Sequence, residues 1–161
     1  MKKVRDVQIG QVKAGTGGVI LKSSAIGSCV VVVAYDTARK VGAMAHIMLP
    51  GRAPTRKKGR EKTKYAADAI DAILHKMARL GSATADIKVA VVGAANVLER
   101  EDDTICRANI ESTLGLLLEK CLTIAAEATG GTQRRNVRLD IDTGTITYTE
   151  GNGGEKQLWK A

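Results

Sequence analysis

The sequence predicts an α+β domain, strand-rich with two main helices, and three observations predict it. Residues Cys29-Val-Val-Val-Val-Ala-Tyr35 are β-branched almost throughout and apolar on both alternating sets, the pattern of a strand covered on both faces. Apolar residues recur at helical spacing over Thr63 to Leu80 and again over Thr104 to Cys121. Near the end, Val137, Leu139 and Ile141 alternate with polar neighbours, turn at Asp142-Thr-Gly144, and return through Ile146 and Tyr148 as a hairpin. At 161 residues this is one domain over 1–149, followed by a tail over 150–161. The glycine-rich Glu150-Gly-Asn-Gly-Gly154 marks that tail as disordered, with Trp159 the one residue in it suited to docking.

Taken in order, Val4 to Val12 alternates loosely as an edge strand and runs into the turn Ala14-Gly-Thr-Gly-Gly18, after which Val19 to Leu21 is a second short apolar run. The strand Cys29 to Tyr35 turns at Asp36-Thr-Ala-Arg39 and returns through Lys40 to Leu49, where Pro50 closes the hairpin. The first main helix places Ala66, Ala69, Ile70, Ile73, Met77 and Leu80 on one face and stops at Gly81. Ile87 to Val92 is a strand and Gly93-Ala-Ala-Asn96 a loop. Asp102 or Asp103 caps the second helix, whose stripe is Cys106, Ile110, Leu114, Leu117 and Cys121, and Leu122 to Ala128 is a further strand.

Composition removes several function classes. A chain of this length buries about 70% of its unfolded surface, so its core needs neither metal nor disulfide. Its three cysteines are odd in number and lack CxxC spacing, which fits a reducing compartment and argues against a zinc site. No run of 18 apolar residues occurs and no hydrophobic stretch follows the N-terminus, so the expectation is a cytoplasmic protein without membrane insertion. The formal charge of +8 is concentrated: Arg52, Arg56, Lys57, Lys58, Arg60, Lys62 and Lys64 face Glu61 alone. With Pro50, Gly51, Pro54 and Gly59 around it, that segment reads as a mobile, solvated loop. Phe is absent and only three Tyr and one Trp remain, so no stacking platform for nucleic acid accompanies the charge.

A thiol becomes a nucleophile when an imidazole can take its proton. His75, between Leu74 and Lys76 on a largely polar helix side, reads as solvated, whereas His46 interrupts an apolar stretch and needs a partner. If Asp36 to Arg39 is the hairpin turn, Tyr35 faces Lys40 and Cys29 faces His46 on one side of the sheet. A three- or five-residue loop would put the two on opposite faces. Gly27-Ser28 ends the strand at the thiol and offers unobstructed N–H groups, the donors an oxyanion hole requires. Cys106 and Cys121 fall on the helix stripe and read as core packing.

Gly27-Ser28-Cys29-Val30, followed seventeen residues after the cysteine by His46-Ile-Met-Leu-Pro50, resembles the CheD family of chemoreceptor glutamine deamidases. Lys64-Tyr65 with its helix, Ile105-x-x-x-Asn109, Gly130-Gly131 and Arg135-x-x-Arg138 extend the resemblance over most of the chain. It implies a CNF-toxin-like arrangement, a β-sandwich flanked by helices. It implies hydrolysis of receptor glutamine side chains to glutamate and ammonia without a cofactor. By the same resemblance Cys29 is the nucleophile, His46 the base and acid, and Ser23 the hydroxyl that orients the histidine, where the family has threonine. For Ser23 to serve, the segment Ser24-Ala-Ile-Gly27 has to fold back, since a straight strand would hold it about 20 Å from Cys29. Cys106 stands where the family commonly has glycine. The partners implied are chemoreceptors and a CheC-type phosphatase. The alternative is a non-catalytic adaptor that binds both.

Overall fold

A computed structural model describes residues 1–161. The β-branched run becomes β4 (Val30–Asp36), buried at every position because both of its faces are covered. It lies between β5 (Val41–Ile47) and β6 (Ile87–Gly93), both antiparallel to it. With β2 (Val12–Gly15) and β7 (Thr123–Thr129) they form a five-stranded sheet in the order β2-β5-β4-β6-β7. A second sheet joins β1 (Lys3–Asp6), β3 (Val19–Ile26), β8 (Arg135–Asp140), β9 (Thr145–Glu150) and β10 (Lys156–Lys160) in the order β1-β3-β8-β9-β10. Alternation along β4 divides the core. Val31, Val33 and Tyr35 meet Leu21, Val137, Leu139 and Ile146 of the second sheet, and Val30, Val32 and Ala34 meet the helices.

The two main helices, α2 (Ala66–Arg79) and α3 (Thr104–Glu119), lie together on the outer face of the β4 sheet; a single turn, α1 (Gly59–Lys62), precedes them. The expected sandwich with helices is therefore present, with both main helices on one side. On α3 the fully buried line is Cys106, Asn109, Thr113 and Leu117, while Cys121 is exposed past the helix end. Two polar residues thus occupy positions that the apolar stripe did not reveal.

Three local expectations change. The N-terminal stretch makes two strands in different sheets, β1 and β2, with residues 7–11 crossing between them. The segment from 150 onward does not stay a tail: β10 pairs with β9 and Trp159 sets its edge against Tyr35, ring centroids 6.3 Å apart. The basic segment is tethered, Arg52 to Asp68 and Asp71 at 3.3 and 3.1 Å and Arg60 Nε to the Ile9 carbonyl at 2.7 Å. Arg56, Lys58 and Lys62 remain exposed without an ion pair.

Candidate active site

Cys29 sits one residue before β4, where the chain passes from the second sheet to the first. Each carbonyl of its loop is taken by another element. Gly27 accepts from the Ala95 N–H at 2.9 Å, Ser28 from Asn109 Nδ2 at 3.0 Å and Cys29 from the Ala94 N–H at 2.8 Å. The N–H groups of the same three residues have no partner within the chain. The loop is thus fixed through its acceptors, and its donors are left free. Gly93 permits this closeness: with φ of +126°, it lies where a Cβ would come 2.3 Å from the Cys29 oxygen.

His46 lies on β5 with its ring buried. The ladder pairs it with Val31, so the register differs by two residues from the expected Cys29–His46 opposition. The turn explains the shift. Asp36 accepts from the N–H groups of Ala38 and Arg39 at 3.0 and 3.2 Å, which keeps Asp36 as the last strand residue and moves the turn to residues 37–40. A slip of two preserves the face. Cys29, two positions before Val31, and His46 thus both face the space between the sheets.

Ser23 belongs to the second sheet and points between the sheets, 1% exposed. The segment after Ser23 does not fold back: Ser24 to Ile26 continue β3, broken only by a bulge between Ser23 and Ile26 with Ala25 at φ +54°. Ser23 does not bond the histidine. Its hydroxyl donates to the Val7 carbonyl at 2.7 Å, and His46 Nδ1 meets that same oxygen at 3.2 Å. A carbonyl only accepts, so the ring proton resides on Nδ1 and Nε2 carries the lone pair. Burial holds the imidazole below its usual 6.5, opposed by the Val7 bond and assisted by the Arg60 charge. Burial also raises the Cys29 thiol. Both shifts favour the uncharged forms, a neutral thiol and a neutral imidazole.

Cys29 opens onto a cleft of about 510 Å³ walled by Ala95 to Leu98, Arg100, Arg134 and the first turn of α3. His46 and Ser23 do not line it. Cys106 does: its thiol donates to the Ala95 carbonyl at 3.4 Å and is pushed up to about 11 by burial and the neighbouring Asp103. It serves as a donor in the wall. His75 takes no part, and Cys121 stands exposed away from the cleft.

Sequence reasoning missed two residues here. Val7 acts through its backbone, which leaves no trace in side-chain pattern. Asn109 donates through Nδ2 to Ser28 and to Met48, 3.1 Å away; in the sequence it is a polar residue in mid-helix and part of the Ile105-x-x-x-Asn109 likeness, with no role attached.

A family model described as CheD chemotactic sensory transduction matches residues 48–150. Curated relatives extend the match further. A probable chemoreceptor glutamine deamidase CheD of Chlorobium luteolum is 39% identical over 93% of this chain and 74% of its own. The chemoreceptor glutamine deamidase CheD of Thermotoga maritima is 32% identical over 97% and 96%, and that of Halalkalibacterium halodurans 32% over 86% and 88%. Among solved structures, Bacillus licheniformis hypothetical protein YfiH superposes with a TM-score of 0.43 at 15% identity, over 74% of this chain and 49% of that one.

Proposed function

The chain belongs to the CheD chemotactic sensory transduction family, and on that footing we propose that it deamidates chemoreceptor glutamines through a Cys29–His46 thiol mechanism. The reaction is hydrolysis of a side-chain carboxamide to a carboxylate and ammonia. The observation that supports the reading most is the Cys29 loop, which lines a cleft, is held through its three carbonyls and keeps its N–H groups free of partners within the chain.

Burial disfavours the charged form of both groups, so the thiol proton passes to His46 Nε2 as sulfur attacks the amide carbon and no ion pair forms first. The negative charge that develops on the amide oxygen is met by the N–H groups of loop 27–29. An amide nitrogen leaves only when protonated, and the imidazolium supplies that proton as the C–N bond breaks, releasing ammonia and leaving a thioester on Cys29. Water then enters, gives a proton to His46 and its oxygen to the acyl carbon. Collapse returns the proton to sulfur and frees glutamate. Ser23 acts as a positioning residue, sharing the Val7 acceptor with the ring rather than touching the reacting atoms.

Chemoreceptors are the protein substrate. A CheC-type phosphatase is the regulatory partner, and the cytoplasm, where all three free thiols stay reduced, is the site of action. No helix is long and apolar enough to cross a membrane. Incubating purified receptor with the wild-type chain tests the reading. Ammonia release together with conversion of glutamine to glutamate in receptor peptides is expected. Tight receptor binding with no conversion would instead make the chain an adaptor.

A further inference from the structure

Asn109 is 0% exposed in the middle of α3, where its helix propensity is poor, and its Oδ1 has no hydrogen-bond partner. A leucine on that buried line, between Cys106 and Thr113, would leave no unpaired Oδ1 but would strip the Ser28 and Met48 carbonyls of their donor. Packing therefore does not explain an asparagine. Its amide nitrogen does. Nδ2 donates to the carbonyls of Ser28 at 3.0 Å and Met48 at 3.1 Å, one residue before Cys29 and two residues after His46. Two carbonyls on one side chain atom fix the amide's orientation, since only nitrogen can donate to both.

The position of this bridge in the hairpin is what gives it a role. The β4–β5 ladder ends at Val30 and Ile47, and beyond that pair the strands diverge, one into the thiol loop and the other toward Pro50. At that open end the two strands meet on a side chain from α3 in place of a further rung. We propose that Asn109 is a positioning residue: by tying Ser28 to Met48 it sets the separation of the Cys29 thiol and the His46 imidazole, and so the efficiency of proton transfer between them. The inference rests on the deamidase reading for its kinetic readout only, because thiol–imidazole coupling is measurable without substrate.

The test uses the full chain with Cys121→Ser, which removes the exposed thiol. Asn109→Ala is expected to lower kcat by about 10- to 100-fold, the scale of a small misplacement of reacting groups, with KM little changed. Thr113→Val, one turn along the same buried line and with no hydrogen bond to lose, is expected to leave kcat unchanged. Cys29 alkylation by iodoacetamide, mapped by mass spectrometry, is read against pH in parallel. The wild-type rate should show an inflection that His46→Ala abolishes, and Asn109→Ala should abolish it too, leaving only the thiol's own ionisation. Asn109→Ser, which keeps one donor, should fall between and serves if the alanine variant does not fold. A folded Asn109→Ala or Asn109→Ser chain with wild-type kcat and an unchanged inflection overturns the proposal, as does an equal kcat loss in Thr113→Val. Should the wild type convert no receptor glutamine, the alkylation profiles alone decide, so a failed deamidase reading is distinguishable from a failed bridge.

Discussion

Ser23 and His46, from opposite sheets of the sandwich, meet on one acceptor, the Val7 carbonyl, at 2.7 and 3.2 Å. The imidazole is thereby oriented by the backbone, and the hydroxyl steadies that backbone. Removing the hydroxyl costs one buried hydrogen bond, about 1 kcal/mol, so Ser23→Ala should lose only about fivefold in kcat while His46→Ala loses turnover. Steady-state kinetics on receptor substrate checks this. Equal losses in the two variants would mean that Ser23 acts on the ring directly.

Burial, with the Arg60 charge in support, holds His46 below 6.5. Activity should therefore persist below 6.5, and the acid limb of kcat/KM should have its midpoint under that value. Arg60→Met removes the charge and should move the midpoint upward, with Arg60→Lys as the control that retains it.

The same shift links folding to pH. The unfolded chain takes up a proton on His46 as the pH falls below 6.5, before the folded chain does. Its contribution to stability is full above 6.5 and is lost as the pH falls from there through the lowered folded value. Urea unfolding at several pH values should show that decline in wild type and a weaker one in His46→Gln.

Gly93→Ala places a methyl 2.3 Å from the Cys29 oxygen at a backbone φ of +126°. The thiol loop must move, and activity should fall at least about 100-fold, the scale of a small misplacement of reacting groups. Gly115→Ala, with open space around it on α3, should leave activity unchanged.

Trp159 stands edge-on to Tyr35 far from the thiol cleft. An aromatic pair of this kind contributes about 1 kcal/mol beyond the area it buries, so Trp159→Ala should lower Tm by at least about 2–4 °C without altering turnover. Calorimetry and the receptor assay together check it.

The legible parts of this protein are those in which side chains carry the signal. The run Val30 to Val33 announced a strand covered on both faces, and Ile70, Ile73 and Met77 announced the face α2 buries. Cys29 and His46 stand out by chemical type and by the parity of a hairpin, and the shared face survives a two-residue slip. What stayed hidden depends on backbone and on distant partners. Asp36 accepts its own turn's N–H groups and thereby set the register, Val7 contributes a carbonyl, and β10 exists because β9 offers it an edge. The basic segment reads as a free loop because Asp68, Asp71 and the Ile9 carbonyl, which hold it, lie elsewhere in the chain.

The most direct test compares the wild type with Cys29→Ala and His46→Ala, each verified as folded by circular dichroism, for conversion of receptor glutamine to glutamate by peptide mass. Conversion by the wild type and none above background by either variant is the predicted result. A folded Cys29→Ala chain that converts receptor glutamines at the wild-type rate contradicts the account.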